Sequence, residues 1–287
     1  MKIAVLGPGA VGGVLTVGFI GAGVRVVCIA RPDTAMVLTS VGLTLRQGGN
    51  VQVVRPDVTT ELREPAQLLL VTVKAPSLEA ALERVQAPVE TVVPLLNGIE
   101  HMDTLRQRLP QAHAVAGSIG RIEAWLERPG VVMQPTPSVV MTVAADAPAE
   151  LLKRSGVEVR VDGSAAEVLW EKLARQAPTA AATSITQRPI GELRRDPEWR
   201  RRMRAAIEEA CAVAAADGVS LSADAEWEII EAMPPLLTSS TARDIAASRP
   251  SELDAITGAA VRAGERLGVP TPELTQMYSE ACRASSH

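Results

Sequence analysis

The feature that most restricts the fold of this chain is a glycine-rich turn near its start. Lys2–Leu6 is a short apolar run, and the turn Gly7-Pro8-Gly9-Ala10-Val11-Gly12 leads from it into a helix-compatible segment, Ala10–Ala22. In such a strand–turn–helix unit the first glycine allows the turn, the second lets a pyrophosphate approach the main chain, and the third lets the helix pack on the strand. Although an ordinary glycine-rich turn is the alternative, the context favours a dinucleotide-binding fold.

The rest of the first half alternates strand-like and helix-like segments. Continuous apolar, β-branched runs separated by helical stretches indicate a parallel sheet covered on both faces. Three further runs of this kind are Val24–Ala30, Leu68–Val73 and Thr91–Leu96. The segments Gly42–Val54 and Ser138–Val143 are predicted to be hairpin or edge strands.

The second half changes to a helical pattern rich in Ala, Glu, Arg and Leu. The predicted helices are Ser164–Thr183, Gly191–Asp217, Asp224–Met233, Ser251–Leu267 and Pro272–Arg283, punctuated by Gly and Pro. The sequence therefore predicts an α/β fold, in which an N-terminal Rossmann-type doubly wound sheet is followed by an all-α C-terminal domain. We assign residues 1–163 to a cofactor-binding domain and residues 164–287 to a helical substrate and catalytic domain.

Composition excludes several function classes. Lys and Arg number 29 against 33 Asp and Glu, and aromatic residues make up 2%, so neither a basic surface nor stacking platforms are available for nucleic acid. Three histidines and three distant cysteines, Cys28, Cys211 and Cys282, predict neither a metal site nor a disulfide framework. We find no signal segment or membrane-spanning run, so a cytoplasmic protein is expected.

Polar residues at predicted strand ends sharpen the cofactor prediction. Arg31 stands where an NAD site usually has Asp or Glu, and a guanidinium there suits the 2′-phosphate of NADP(H), although Asp33 keeps NAD open. Lys74 and Asn97 follow two further predicted strands. Because the carboxyl ends of strands line the ligand crevice of a doubly wound sheet, both are expected near the cofactor.

One lysine of the helical half is a candidate acid. Lys172 lies in the otherwise apolar stretch WEKL, where lysine usually extends to solvent; partial burial would lower its pKa and make it a proton donor. Arg175, Gln176 and Ala180 share its helix face. Ser251 is predicted to be an N-cap, and Glu252 to stabilise a first helical turn. These patterns alone do not make Lys172 or Glu252 catalytic.

In this order the motifs resemble those of the ketopantoate reductase (2-dehydropantoate 2-reductase) family over nearly the whole chain. They are GPGAVGG, Arg31, VTVK ending in Lys74, LLNG with Asn97, the Pro129-Gly130 pair, WEKL with Lys172, SSTARDI with Ser240 and RPSELD with Glu252. The last three together are much more specific than the glycine turn.

The resemblance implies an activity and residue roles. It implies NADPH-dependent reduction of a 2-oxo acid to a 2-hydroxy acid, with 2-dehydropantoate, in pantothenate biosynthesis, as the leading substrate. Lys172 is then the proton donor, and Glu252 helps to hold the substrate and the reduced ring. Asn97 and Ser240 contact the substrate, and Glu123 lies near the nicotinamide.

The chain departs from the family pattern at three positions where the family has substrate-binding asparagines. Here they are Gln176, which can replace an amide, and Ala180 and Ile190, whose side chains cannot hydrogen-bond. A more apolar 2-oxo acid or an imine is therefore an alternative substrate, and a non-catalytic NADP-binding regulator is an alternative function. Arg175 is considered as a carboxylate anchor. A homodimer is possible.

Overall fold

The structure is a computed structural model that describes residues 2–120 and 122–285. It contains two compact units. The first consists of the chain up to Leu96 together with His101–Val168, and the second of Asn97–Glu100 together with the chain from Leu169 onward. The assignment of separate functions to residues 1–163 and 164–287 stays a prediction.

The first unit is built from short strands and a smaller number of helices. Its strands are β1 (Lys2–Leu6), β2 (Arg25–Ile29), β3 (Leu43–Gln47), β4 (Asn50–Val54), β5 (Asp57–Thr59), β6 (Ala66–Val71), β7 (Val89–Pro94), β8 (His113–Ala114), β9 (Gly117–Gly120), β10 (Trp125–Arg128), β11 (Val131–Gln134), β12 (Val140–Ala144) and β13 (Glu158–Asp162). Its helices are α1 (Ala10–Gly21), α2 (Pro32–Val41), α3 (Leu78–Leu82), α4 (His101–Arg108) and α5 (Ala149–Lys153), with a 3₁₀ turn at Ala75–Ser77.

The main sheet is parallel and has the order β5-β2-β1-β6-β7-β8. The chain leaves β1 first towards β2 and returns to β6 on the other side, so the order reverses between β1 and β6. In a doubly wound sheet, ligands bind outside the carboxyl ends of the strands at such a reversal. The glycine turn follows β1, and the sheet therefore places it at the reversal.

Two smaller sheets complete the first unit, with the orders β10-β11-β3-β4 and β13-β12-β9. The predicted hairpin at Gly42–Val54 is present as the antiparallel pair β3–β4, and the predicted edge strand at Ser138–Val143 corresponds to β12. The sequence did not reveal β10 and β11, which are joined at Pro129-Gly130. Helix α1 packs near this sheet, because a Cβ on Gly13 would lie 2.6 Å from Val132 Cγ2.

From residue 164 onward the described chain is helical. The helices are α6 (Ala165–Thr186), which begins in the first unit, α7 (Ile190–Leu193), α8 (Pro197–Ala216), α9 (Ala223–Ala232), α10 (Ser240–Ala246), α11 (Ala259–Leu267) and α12 (Pro272–Ser285). A π-helical turn, Asp254–Gly258, leads directly into α11. The predicted fold class, a parallel sheet followed by a helical region, is confirmed.

The helix predicted over Gly191–Asp217 is wrong as a single element, because the chain breaks between α7 and α8. Asp196 accepts hydrogen bonds from the main-chain N–H groups of Glu198 (3.1 Å) and Trp199 (3.4 Å). Pro197 then occupies the first helical position, where its missing N–H costs nothing. The Asp-Pro pair is therefore a helix start rather than a helix interior.

Helix α10 was missed by the sequence analysis because its seven residues are too few to show a periodic pattern. Its start is nevertheless marked by Ser239, whose hydroxyl accepts the N–H of Ala242 at 3.0 Å. The same hydroxyl lies 2.7 Å from Thr183 Oγ1, which links α10 to α6.

Helix α6, which carries Lys172, is tied to its neighbours at two points. Trp170 Nε1 donates to Asp217 Oδ2 at 2.7 Å, at the end of α8. Thr257 Oγ1, in the π-helical turn, donates to Ala177 O at 2.9 Å. This second contact lies beside Pro178, an interior proline that removes one main-chain donor from α6.

None of the helices in the described chain is long and apolar enough to cross a bilayer.

Candidate active site

The glycine turn has the geometry that a dinucleotide phosphate requires. Gly7 has φ +87°, and a Cβ there would lie 2.5 Å from Val73 Cγ1. A Cβ on Gly12 would overlap Thr72 Oγ1 and lie 2.6 Å from Gly7 O. At Gly9, by contrast, a Cβ would have only Gly7 O within 4 Å among the described atoms, at 3.8 Å. The first and third glycines are therefore needed for packing, and the second leaves its main chain accessible.

The start of α1 is suited to an anion. The helix begins at Ala10, and no side chain of residues 2–120 or 122–285 caps its N-terminus. The N-terminal N–H groups of a helix carry partial positive charge and bind phosphate when nothing else satisfies them. The glycine turn and α1 together fit the pyrophosphate of a dinucleotide.

The other predicted cofactor residues of the first unit are exposed. Arg31 directly precedes α2, which Pro32 begins, and Lys74 precedes the 3₁₀ turn, where its main-chain oxygen accepts the N–H of Ser77 at 2.9 Å. Glu123 accepts a hydrogen bond from Thr136 Oγ1 at 3.3 Å. Their contacts with a cofactor stay predictions.

The predicted strand ends need a correction. The strands β6 and β7 end at Val71 and Pro94, so that Lys74 and Asn97 each follow three residues after a strand rather than directly. Strand β6 ends before Lys74 because its neighbour β1 ends at Leu6, where the chain turns away at Gly7. Beyond Thr72 the neighbouring strand therefore offers no partner for a parallel ladder.

Three predicted site residues meet in the second unit. Lys172 Nζ donates to Asn97 Oδ1 at 2.7 Å, and Asn97 Nδ2 donates to Glu252 Oε2 at 2.9 Å. Asn97 lies 75 residues from Lys172 and 155 from Glu252 in sequence. Only the fold brings this ammonium, amide and carboxylate together.

The amide of Asn97 has one defined orientation. Its oxygen accepts from Lys172 and, at 3.1 Å, from Gln176 Nε2, whereas its nitrogen faces the carboxylate of Glu252. A reversed amide would place a donor against two donors, and an acceptor against a carboxylate. Asn97 therefore holds Lys172 and Glu252 at fixed distances from each other.

The main chain next to Asn97 depends on glycine. Gly98 has φ +87°, and a Cβ there would overlap Ala255 O in the π-helical turn. Only glycine combines this backbone conformation with so close an approach. The Asn97-Gly98 pair is therefore seated directly against the turn that follows Glu252.

Burial lowers the pKa of Lys172 to about 8. The main cause is the loss of hydration around a charged ammonium; the carboxylate of Glu252 opposes it, and the guanidinium of Arg175 adds to it. Glu252 itself is only 8% exposed, so the two opposite charges interact in a poorly hydrated region. A lysine with this pKa is mostly protonated at pH 7 and can give up its proton more readily than an ordinary lysine.

The suggestion that Arg175 anchors a carboxylate of the substrate finds no support. Arg175 Nη1 is bound to Glu226 Oε2 at 2.8 Å and to the main-chain oxygen of Glu171. Glu226, on α9, is buried, and its carboxylate is thereby paired. Arg175 already has an internal partner, and its effect on the site is through its charge beside Lys172.

The prediction that Ser251 is an N-cap is wrong. The helical segment starts at Leu253, and Glu252 O accepts the N–H of Ile256 at 3.0 Å, so that Glu252 occupies the boundary. Its carboxylate is directed to Asn97 rather than to the first turn. The π-helical turn that follows is a rare irregularity, and such turns occur frequently at functional sites.

Some predicted substrate residues are not joined to this cluster. Ser240 is exposed at the first position of α10, and within the described residues no hydrogen bond links its side chain to Asn97, Lys172 or Glu252. Ala180 and Ile190 are 1% and 0% exposed. Their direct contact with a substrate stays a prediction, as does that of Ser240.

The sequence analysis missed Glu100 and Arg262. Arg262 binds Glu100 through two hydrogen bonds of 2.8 and 2.7 Å, although the two residues are 162 positions apart. No local pattern pairs residues at such a separation.

Among the described residues, no group of three or more His, Cys, Asp or Glu side chains is placed to hold a metal ion.

Comparisons with known proteins show which family this chain is similar to. The family profile described as Ketopantoate reductase PanE/ApbA matches residues 3–148, and that of its C-terminal part, Ketopantoate reductase PanE/ApbA C terminal, matches residues 165–282. A 2-dehydropantoate 2-reductase of Caulobacter vibrioides is 30% identical over 282 residues, which cover 94% of each chain.

Solved structures give the same result at the level of the fold. The crystal structure of a PanE/ApbA family ketopantoate reductase from Ralstonia eutropha JMP134 is 30% identical, with a TM-score of 0.88 over 100% of this chain and 99% of that one. A D-mandelate dehydrogenase in a ternary structure with NADH and anilino(oxo)acetate has a TM-score of 0.89 over 100% and 99% of the chains. At 23% identity, that second likeness shows a shared fold alone.

Proposed function

This chain belongs to the ketopantoate reductase family, and from that premise we propose that it reduces a 2-oxo acid to the 2-hydroxy acid with NADPH, with 2-dehydropantoate as the first candidate substrate. The family membership and oxidoreductase class that the sequence predicted are confirmed. A nicotinamide cofactor is typical of the family, and the preference for NADP(H) belongs to the proposal.

The first unit would hold the cofactor. The accessible main chain at Gly9 and the uncapped start of α1 fit a pyrophosphate, and Arg31 is assigned to the 2′-phosphate. When bound, NADPH supplies the hydride for reduction of the carbonyl carbon. Lys74 and Glu123 are assigned to the same cofactor on the family resemblance.

The second unit would supply the proton. As negative charge develops on the carbonyl oxygen, the ammonium of Lys172 stabilises it and then transfers a proton to it. Asn97 holds this ammonium in place through its Oδ1, and Glu252 keeps it charged through the opposite charge of its carboxylate. Asn97, Gln176 and Ser240 are assigned to substrate binding.

The observation that supports this proposal most strongly is the convergence of Lys172 and Glu252 on one amide, that of Asn97. An ammonium whose pKa is lowered to about 8 is poised to donate a proton near neutral pH. Any buried ammonium needs a hydrogen-bond acceptor and an opposite charge, so this arrangement is combined with the match of the chain to a reductase family. Together they favour proton transfer over a regulatory role.

The test is the rate of NADPH oxidation with 2-dehydropantoate in the wild type and in two lysine variants. Lys172→Ala should lose turnover by about 100-fold or more, which is typical of losing a general acid. Lys153→Ala is the control, because Lys153 is exposed on α5 and, among the described residues, is paired only with Glu150. An undiminished rate for Lys172→Ala contradicts the assignment, and no oxidation by the wild type across many 2-oxo acids favours the regulatory alternative.

A second candidate substrate, a more apolar 2-oxo acid, is favoured by Ala180 and Ile190. The side chains at both positions are hydrocarbon and cannot hydrogen-bond to a substrate hydroxyl. Without such a hydrogen bond, a hydroxyl on the substrate does not improve its binding. A panel that compares 2-dehydropantoate with its deoxy analogue separates the candidates. A higher kcat/KM for the analogue would favour the apolar substrate.

The remaining predictions concern the setting of the protein. A cytoplasmic location and a possible homodimer stay predictions, and only a small-molecule 2-oxo acid is proposed as a partner. Sedimentation of the purified chain with and without NADPH distinguishes a monomer from a dimer.

A further inference from the structure

Arg262 connects two parts of the second unit that carry site residues. On α11, its Nε and Nη2 bind the two carboxylate oxygens of Glu100 at 2.8 and 2.7 Å, a bidentate side-on fork. Its Nη1 binds Asp254 Oδ1 at 2.8 Å, and Asp254 Oδ1 also accepts Tyr278 Oη at 2.5 Å. One guanidinium therefore holds two carboxylates from segments that are far apart in sequence.

These two segments are the ones that bear Asn97 and Glu252. Asn97 and Glu100 are three residues apart in one segment, and Glu252 and Asp254 are two residues apart in the other. The segments are joined once directly, by the hydrogen bond from Asn97 to Glu252, and once through Arg262, which binds Glu100 and Asp254. The second connection flanks the first.

Close packing makes these connections stiff. Gly98 leaves no space for a Cβ against Ala255 O. A Cβ on Gly258 would lie 2.8 Å from Asp254 Oδ1 and 3.0 Å from Arg262 Nη1. Because the main chain is closely packed on both sides of the π-helical turn, loss of the hydrogen bonds of Arg262 would shift the positions of Glu252 and Asn97.

We infer that Arg262 is a positioning residue of this site, which sets the distance between Asn97 and Glu252, and through Asn97 the position of Lys172, by holding Glu100 and Asp254. Arg262 acts through these residues. The inference rests on the proposed function only for its kinetic part.

A purely stabilising role would have a different signature. Arg262 is 38% exposed in its side chain, Glu100 is 41% and Asp254 is 70%. Ion pairs at such exposure usually contribute little to global stability, even where a fork or a network improves on the average. An effect confined to the site therefore distinguishes positioning from stabilisation.

The experiment compares Arg262→Gln with Arg188→Gln. Arg188 is a matched control in the second unit: its side chain is 37% exposed and binds two carboxylates, those of Glu192 and Asp196. Arg262→Lys is added because it keeps the charge and loses the fork. Thermal unfolding of all variants shows that each one folds.

The first readout is independent of turnover. The chain has four lysines, Lys2, Lys74, Lys153 and Lys172, so an NMR titration of ¹³Cε-labelled lysine resolves the pKa of each. In Arg262→Gln, the loosened segments should admit water and raise the pKa of Lys172 by about 1 towards its ordinary value. Arg188→Gln should leave it unchanged, and Arg262→Lys should restore it only in part.

The second readout is kinetic. With 2-dehydropantoate and NADPH, Arg262→Gln should lower kcat by about tenfold with little change in KM, because displacement of a catalytic group costs rate more than binding. An unchanged lysine titration together with unchanged kcat would overturn the inference. If the wild type reduces no 2-oxo acid, the proposed function fails, and the titration alone still decides the role of Arg262.

Discussion

The surroundings of Lys172 set the pH range in which it can act as an acid. Its pKa is lowered to about 8 chiefly by burial, while the charge of Glu252 opposes the decrease. A donor must carry its proton before the reaction, so activity requires a pH below this pKa. Removing the opposing charge should lower the pKa further.

We expect kcat/KM for reduction to be constant at low pH and to decrease as the pH rises through about 8. Glu252→Gln lacks the carboxylate that favours the ammonium, so the decrease should begin at a lower pH than in the wild type. The two proteins are compared by the pH at which kcat/KM begins to decrease, because the variant also has a lower rate at every pH. A shift to higher pH would contradict the electrostatic role of Glu252.

Arg31 provides a second test at the level of one residue. If its guanidinium binds the 2′-phosphate, Arg31→Ala should weaken the binding of NADPH much more than that of NADH. The difference in binding free energy should be roughly 1.5–3 kcal/mol, as for a lost hydrogen bond to a charged group. Isothermal titration with both cofactors measures the difference. The exposed Arg63 of the same unit is a suitable control. Equal losses for the two cofactors would argue against the phosphate role.

Among the elements, the Asn97–Glu100 segment and the π-helical turn Asp254–Gly258 have the most influence on the site. Both are irregular, and their main chains meet where Gly98 faces Ala255 O. Regular helices such as α6 supply Lys172, but they do not determine what lies opposite it. The irregular elements do, because their close approach sets the position of Asn97.

Gly98→Ala should therefore impair both stability and activity. The alanine must adopt the left-handed conformation that Gly98 has, at a cost of about 1–3 kcal/mol, and its methyl group also overlaps Ala255 O. Gly218→Ala is a matched control: its φ of +88° imposes similar strain, and a Cβ there has no neighbour within 4 Å in the part of the chain that the structure describes. Thermal unfolding and kcat are measured for both.

Loss of stability should be seen in both variants, and loss of kcat beyond about tenfold only in Gly98→Ala. Equal activity of the two variants would mean that the position of Asn97 is not critical.

For the whole molecule, the proposal assigns different parts of the chemistry to the two compact units. The glycine turn and Arg31 belong to the first unit, and Lys172, Asn97 and Glu252 to the second. Cofactor binding and proton transfer are thus assigned to separate units. Damage to the proton donor should leave the cofactor site intact.

NADPH at about 100 times its Kd should stabilise the wild type by about 2.7 kcal/mol against unfolding. Lys172→Ala should show the same increase in melting temperature, because its mutation lies in the other unit. Arg31→Ala should show a smaller increase at the same NADPH concentration. If Lys172→Ala abolishes the stabilisation, the separation of roles is wrong.

Much of the fold could be predicted from sequence because its signals are local. The glycine turn, the β-branched runs and the helical spacing each depend on residues within a few positions of one another. Errors arose where short-range signals compete, as at Asp196-Pro197, or where an element is as short as α10. Lys172 and Glu252 were identified by family motifs, since their local patterns have ordinary structural explanations.

The sequence by itself determined the α/β class, the change from the sheet to the helical region and the presence of the glycine turn, because strand and helix periodicity and the backbone freedom of glycine are local properties. Tertiary structure alone decided that Asn97 joins the helical unit, that Glu252 faces it, and that Arg262 binds Glu100. It also decided the pKa of Lys172, because the loss of hydration depends on the atoms packed around the ammonium, and the neighbouring Asn97 and Glu252 come from distant parts of the chain.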